Sequence, residues 1–207
     1  QSFPKKLSME YETKTSKLEL SLDRAQFQNG AFFSLSLYTP FWFVNQTGVP
    51  ILFRNEQNKK IFAGQNQDII KSSLDGPLTP SSILPVSHGH KSKVSVRCGC
   101  SLFSEPRVLE SVGTSGELHM KSSTNKKKEH YHFGYSVALG SGKFSKTKVV
   151  TFTPRFIVSN RTPHSILLRQ KGTAIQTIKT NDDFRLYKLC GKSNEIQFKL
   201  SSTNSSE

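Results

Sequence analysis

Six histidines, three cysteines and 15 carboxylates are the residues of this chain with catalytic or metal chemistry to offer. Two histidine pairs, His88-x-His90 and His130-x-His132, have the spacing that puts alternate residues on one face of a strand, a possible half of a zinc site. The first pair follows a proline-rich stretch, and the second follows a lysine run that would repel a cation. No carboxylate or cysteine at useful spacing completes either set, so no metal is expected. Cys98-Gly99-Cys100 is C-x-C, without the C-x-x-C redox spacing or a second metal pair. Ser141-Gly142-Lys143 has no P-loop context. Gly113-Thr114-Ser115-Gly116 reads as a turn between strands and lacks the strand–helix setting that binds phosphate. The carboxylates are scattered, with no paired acid/base spacing. The expectation is a protein without catalysis and without a cofactor.

The elements that would have to position such groups are strands. Lys17–Leu22, Phe33–Leu37 and Lys93–Val96 alternate apolar and polar residues. Tyr135–Leu139, Lys148–Phe152, Phe156–Val158 and Ile166–Leu168 are short runs, most of them rich in β-branched or aromatic residues. Asn29-Gly30 and Gly140-Ser141-Gly142 can each supply the positive φ of a hairpin turn. No window keeps a helical period. Gly76–Pro85 carries three prolines in ten residues and reads as a long loop that cannot be a central strand. Ser122–Glu129 is a second loop, and residues 201–207 form a polar tail. The fold class expected is all-β, a sandwich or a string of them.

An internal repeat organises the chain. Tyr38–Arg54 reads YTPFWFVNQTGVPILFR, and Phe152–Gln170 reads FTPRFIVSNRTPHSILLRQ. Asn45 and Asn160, Thr47 and Thr162, Ile51 and Ile166, and Arg54 and Arg169 share one spacing of 115 residues. Tandem β-sandwich repeats of about 115 residues follow. Residues 1–32 are expected as strands and a hairpin leading in, 33–145 as one repeat, and 146–207 as a second that is incomplete or followed by more. An asparagine at the end of an apolar strand can bond its own backbone two residues on, and it offers two donors and an acceptor to groups left unpaired where the ladder stops. Asn45 and Asn160 are therefore read as turn locks, with an indirect effect on any binding surface.

Lys and Arg number 29 against 15 acidic residues, a formal charge of +14. The basic clusters Lys59-Lys60, Lys91–Arg97 and Lys126-Lys127-Lys128 fall in loop-like stretches. Such charge attracts nucleic acid, anionic lipid or acidic peptide, or is simply a solvated surface. A basic β-domain binding nucleic acid or an anionic membrane is the alternative reading. Most of the 15 Phe residues alternate with polar residues in strand runs, where a core role is the default, so nucleic acid is not expected. Lys59, Lys60, Lys126, Lys127 and Lys128 are the candidates for touching an anionic membrane. An odd, sparse cysteine set fits a reducing compartment. The sequons at Asn45 and Asn160 are expected to stay unmodified, since the sequence shows no signal segment.

Three blocks carry a resemblance: PFWFVNQTGVPILFR from Pro40, SLFSEPRVLESVGTSGELHM from Ser101, and KTKVVTFTPRFIVSNRTPHSILLRQ from Lys146. In this order they resemble the adaptor-binding (VAB) domain of the vacuolar protein sorting 13 family, chorein-like bridge lipid-transfer proteins. The resemblance covers about residues 33–170. It implies a row of β-sandwich repeats with one asparagine each at the positions of Asn45 and Asn160. It also implies recruitment: adaptor proteins on organelles present Pro-x-Pro motifs, and the domain binds them, placing the protein at a membrane contact site. The expected location is cytoplasmic, peripheral on organelle membranes. The family's main adaptor groove belongs to the last repeats of the row. Leu102-Phe103 stands where the family usually has a Trp. A docking peptide is expected to add along an exposed strand edge, its prolines in shallow apolar pockets.

Overall fold

A computed structural model describes residues 6–10, 17–27, 32–57, 59, 61–64, 83–86, 93–99, 101–123, 129–170, 173–186, 188–190 and 195–201. Among these, the regular structure is strand throughout, apart from a single 3-10 turn at Gly142–Phe144.

The chain opens with an antiparallel meander of β1 (Lys6–Glu10), β2 (Lys17–Phe27) and β3 (Phe32–Tyr38). Thr39 and Pro40 then lead into β4 (Phe41–Asn45), followed by β5 (Ile51–Asn55), β6 (Ile61–Gly64), β7 (Ile83–Val86) and β8 (Lys93–Cys98). After β9 (Arg107–Val108) come β10 (Ser115–Lys121), β11 (Glu129–Leu139) and β12 (Lys148–Pro154). The last strands are β13 (Phe156–Ser159), β14 (Ile166–Gln170), β15 (Gln176–Ile178), β16 (Asp183–Leu186), β17 (Lys188–Cys190) and β18 (Ile196–Leu200).

One sandwich is closed by two sheets. The first runs β10-β11-β12-β4-β7, with β17 added to β11; the second runs β6-β5-β8-β9. Period-two alternation gives each strand an apolar face, and the two faces meet. Phe43 and Phe152 from the first sheet and Phe53 from the second form a triangle of rings with centroids 4.9, 5.6 and 4.9 Å apart. All three are at most 1% exposed. Each such phenylalanine contributes about 1.5–3 kcal/mol by leaving water. Phe133, Val96 and Val150 complete the centre of this core.

β12 lies between β11 and β4 and pairs with β4 in parallel, from Lys148 opposite Phe41 to Phe152 opposite Asn45. Residues 148–154, placed by the expected boundaries in the second unit, thus hydrogen-bond into the sheet of the first sandwich. Pro85 lies in β7 opposite Trp42, at the edge of that sheet. A proline is tolerated there because its missing N–H leaves no ladder bond unmade on the outer side. Residues 83–85, expected as the end of a long loop, are therefore strand, and residues 76–82 of the proline-rich stretch lie outside the described residues.

Beyond Arg155 the chain builds a second group: β13 pairs with β16, and β14 lies between β15 and β18. Leu168, Ile178 and Leu186 are buried within it, together with Asn160 and Gln170. Ile157, Phe198 and Leu200 are exposed.

Candidate functional site

Asn45 ends β4 and Asn160 follows β13, and both close the turn that comes next. Asn45 Oδ1 accepts from the Thr47 amide at 3.0 Å, and Asn45 Nδ2 donates to the Val49 carbonyl at 2.8 Å. The Thr47 hydroxyl lies between Asn45 Oδ1 and the Val49 carbonyl and accepts from the Val49 amide. In the other copy Asn160 Oδ1 accepts from the Thr162 amide at 3.0 Å, and Nδ2 donates to His164 at 2.8 Å. Asn160 Nδ2 also reaches the carbonyls of Ile178 and Lys179, both at 3.0 Å. Its own amide and carbonyl are taken by Asp182 and Asn181. A buried amide so placed satisfies backbone groups that the strand ends leave without partners.

Lys59 is exposed, with positive φ, and its ammonium donates to Glu56 at 2.5 Å. Glu56 also receives Arg54 at 2.7 Å and the Ser95 hydroxyl at 2.6 Å. Burial alone would raise this carboxyl, but the hydrogen bonds from Lys59, Ser95 and Arg54 outweigh it and hold it at about 2. Arg54, fixed in this way, lays its guanidinium over the Phe103 ring at 4.1 Å, with Arg97 at 5.2 Å. Lys60, Lys126, Lys127 and Lys128 lie outside the described residues.

Phe103 belongs to the segment that wraps the outer edge of β10. Leu102 donates its amide to the Lys121 carbonyl at 2.7 Å, and Ser101 bridges to Ser122. That bond shows which β10 groups point outward. In an antiparallel ladder the outward-pointing residues alternate, so the amides and carbonyls of Glu117 and His119 face the same side as that of Lys121. The Val137 amide bonding to the Thr114 carbonyl places the even-numbered residues of β10 on the inner side. The edge at Glu117 and His119 opens into a groove of about 300 Å³. Leu102, Phe103 and Arg107 are among its lining residues, together with His119, His130 and His132.

The histidines of the groove come from two strands. His119 on β10 is directly opposite His132 on β11, with their Nδ1 atoms 2.8 Å apart and the rings perpendicular. Burial, with His119 and His130 alongside, holds His132 below its ordinary value. His88 and His90 lie outside the described residues. No group of three or more histidines, cysteines or carboxylates among the described residues is arranged to hold a metal. Cys98 is a buried free thiol pushed up by burial to about 11, far from a reactive thiolate.

The asparagine turns at residues 45–49 and 160–164 and one part of the groove lining, Leu102 to His119, fall within the three blocks that carry the resemblance. A family model described as the adaptor binding domain of vacuolar-sorting associated protein 13 matches residues 3–207. The chain belongs to this family. Intermembrane lipid transfer protein VPS13 of Chaetomium thermophilum is 26% identical over 150 residues, which cover 70% of this chain and 4% of the relative. Intermembrane lipid transfer protein VPS13D of Homo sapiens is 25% identical over 142 residues, 65% of this chain and 3% of the relative. Intermembrane lipid transfer protein tipC of Dictyostelium discoideum is 27% identical over 194 residues, 74% and 5%. The chain therefore spans a few per cent of the length of the curated relatives it matches. Among the described residues no helix is long and apolar enough to cross a membrane.

Within this adaptor-binding domain, sequence reading finds the asparagines but not the histidine-walled groove. His119 and His132 meet only through the register of the β10–β11 hairpin, and spacing along one strand carries no trace of a cross-strand neighbour. A usable signal is present in the alternation of Glu117-x-His119-x-Lys121 against His130-x-His132, two polar faces that a hairpin must superpose.

Proposed function

We propose that the chain is a non-catalytic recruitment module that binds adaptor proteins bearing Pro-x-Pro motifs and so helps bring a large lipid-transfer protein to organelle membranes and contact sites. The match of residues 3–207 to an adaptor-binding domain carries this reading. The outward edge of β10 supports it. An extended peptide laid along this edge meets backbone groups at Glu117 and His119, and its proline rings meet the faces of Leu102 and Phe103. Prolines cannot donate to the ladder but lower the ordering cost, so the rings and pockets decide specificity. The turn locks at Asn45 and Asn160 influence this surface through the stability of the sandwiches that carry it.

The test is fluorescence anisotropy with a labelled peptide containing Pro-Ala-Pro, read against a Gly-Ala-Gly control. Binding of the first alone, weakened by Phe103→Ala, is expected. Equal binding of both peptides, or no effect of the substitution, refutes the placement at β10.

An anionic membrane surface contacted by the Lys59-Lys60 cluster or by Lys126–Lys128 is a second proposal. The side chain of Lys59 is 69% exposed even while paired with Glu56. Co-flotation with liposomes containing phosphatidylserine, and not with neutral ones, is the expected result; equal recovery removes the proposal.

A further inference from the structure

The outer face of the β10–β11 hairpin gathers more positive groups than its acids neutralise. His119 and His132 approach Nδ1 to Nδ1 at 2.8 Å. Two imidazole nitrogens so close share one proton, one donating and the other accepting, because two N–H groups would repel. One added proton makes one ring an imidazolium that still donates to its neutral neighbour, whereas charging both rings breaks the contact. His130 lies next along β11, its ring centroid 6.4 Å from that of His132, with Lys121 opposite it in the ladder. Arg155 enters from the bend between β12 and β13, and Arg107 from β9. Among the described residues, the acids lining this groove are Glu117 and Glu105. Glu117 bonds Arg155 at 2.6 Å and lies 3.4 Å from His119 Nε2; Glu105 lies 3.9 Å from Arg107. Both carboxylates already have a cation beside them.

We propose that this end of the groove is an acid-recognition subsite, which takes a carboxylate of the docked segment and binds a proton at the His119–His132 pair as it does so. The ligand class is an acidic peptide, and the inference rests on the reading of the β10 edge as a docking groove. A carboxylate at the mouth favours the charged imidazolium over the neutral ring, so ligand and proton bind cooperatively. Burial first, and then His119 and His130, hold His132 below its ordinary value, and an anion at the mouth offsets these causes. Partners whose proline motif is flanked by Asp or Glu are then preferred, and more so as pH falls through the histidine range.

Hexaglutamate is the probe, titrated into the whole chain at about 0.15 M salt to screen the general +14 field. Binding is expected to tighten about tenfold between pH ~7.5 and ~5.5, the factor that accompanies one pKa unit. Calorimetry in two buffers of different ionisation heat should show net proton uptake. The double variant His119→Gln/His132→Gln should lose both effects, while Lys179→Gln, a charge removed from the second group of strands, should keep them. His119 is half exposed, so its substitution leaves the core untouched, and circular dichroism checks the fold. Absent hexaglutamate binding, binding without proton uptake, or a pH dependence that survives in the double variant each overturns the subsite. A Pro-Ala-Pro peptide without acids separates the two readings. If it binds at both pH values while hexaglutamate fails, docking stands and the subsite falls. If hexaglutamate alone binds with proton uptake, the subsite stands and proline docking falls.

Discussion

Asn45 and Asn160 close their turns with the same set of hydrogen bonds: side-chain oxygen to the amide two residues on, side-chain nitrogen to the carbonyl four residues on. The threonine hydroxyl at the third position completes both turns. The residue after that threonine differs. Gly48 adopts φ +79°, a region closed to the Pro163 ring, so one side-chain network is mounted on two different backbones. The bonds therefore belong to the Asn-x-Thr triplet and not to the turn type.

Asn160→Ala removes the donors that three carbonyls share and the acceptor of the Thr162 amide. At 0% exposure no water replaces them at once. A loss of about 1–3 kcal/mol is expected, the cost of leaving buried backbone groups unsatisfied. Asn160→Asp should cost at least as much at neutral pH, because a carboxylate then faces carbonyl oxygens without a proton. Thermal or urea melting checks both, and an unchanged midpoint for the alanine variant contradicts the account.

Gly48→Ala tests the first turn separately. An added Cβ would suffer the left-handed conformation and lie 3.1 Å from Arg185 Cδ, a flexible chain able to give way. Most of the cost is thus conformational, about 1–2 kcal/mol. Melting of Gly48→Ala in the Arg185→Ala background should show nearly the same loss. A loss that vanishes in that background would mean the contact, and not φ, is decisive.

The sequence is most informative where a signal is local. The runs at Lys17–Leu22, Phe33–Leu37, Lys93–Val96 and Lys148–Phe152 fall within β2, β3, β8 and β12, because alternation marks a half-buried strand wherever it pairs. The Asn-x-Thr triplets likewise bond within their own turns. What escapes is non-local. The parallel pairing of β12 with β4 joins residues over a hundred positions apart, and no periodicity announces it. The same holds for Arg54 on Phe103, for Ser95 on Glu56, and for His119 opposite His132. At short range the charge of Lys59 is legible, but neither its positive φ nor its pairing to Glu56 is revealed by composition.

Phe152→Ala should be a costly truncation, as befits a member of the central triangle of rings. Phe152 touches Phe43 within its own sheet and Phe53 across the sandwich, and it is fully buried. A loss of about 3–5 kcal/mol is expected, from transfer and cavity together. Ile157→Ala, only five positions away but 54% exposed, should shift stability by less than about 0.5 kcal/mol. Chemical denaturation of the two variants side by side distinguishes a sandwich that ends with β12 from one whose core extends into β13.

Glu56 makes acid sensitivity a property of the wall that holds Phe103. Its carboxyl is held at about 2 in the folded chain against an ordinary value of 4.5, so folding favours the charged form. That stability is fully present above the unfolded value and is lost as pH falls from about 4.5 towards 2. Glu56→Gln is expected to be less stable than the unaltered chain at neutral pH, since Lys59 and Arg54 lose their counter-charge. Its stability should decline less steeply across the acid window, because the glutamine has no proton to take up. Asp23 and Asp183 are also held low, by Lys146 and by Ser159 with Arg161 respectively, and they titrate in both proteins alike. The informative quantity is therefore the difference between the two pH–stability curves, measured by urea denaturation. Curves that converge near pH 2 identify Glu56 as the source, whereas parallel curves show that its network contributes nothing to acid unfolding.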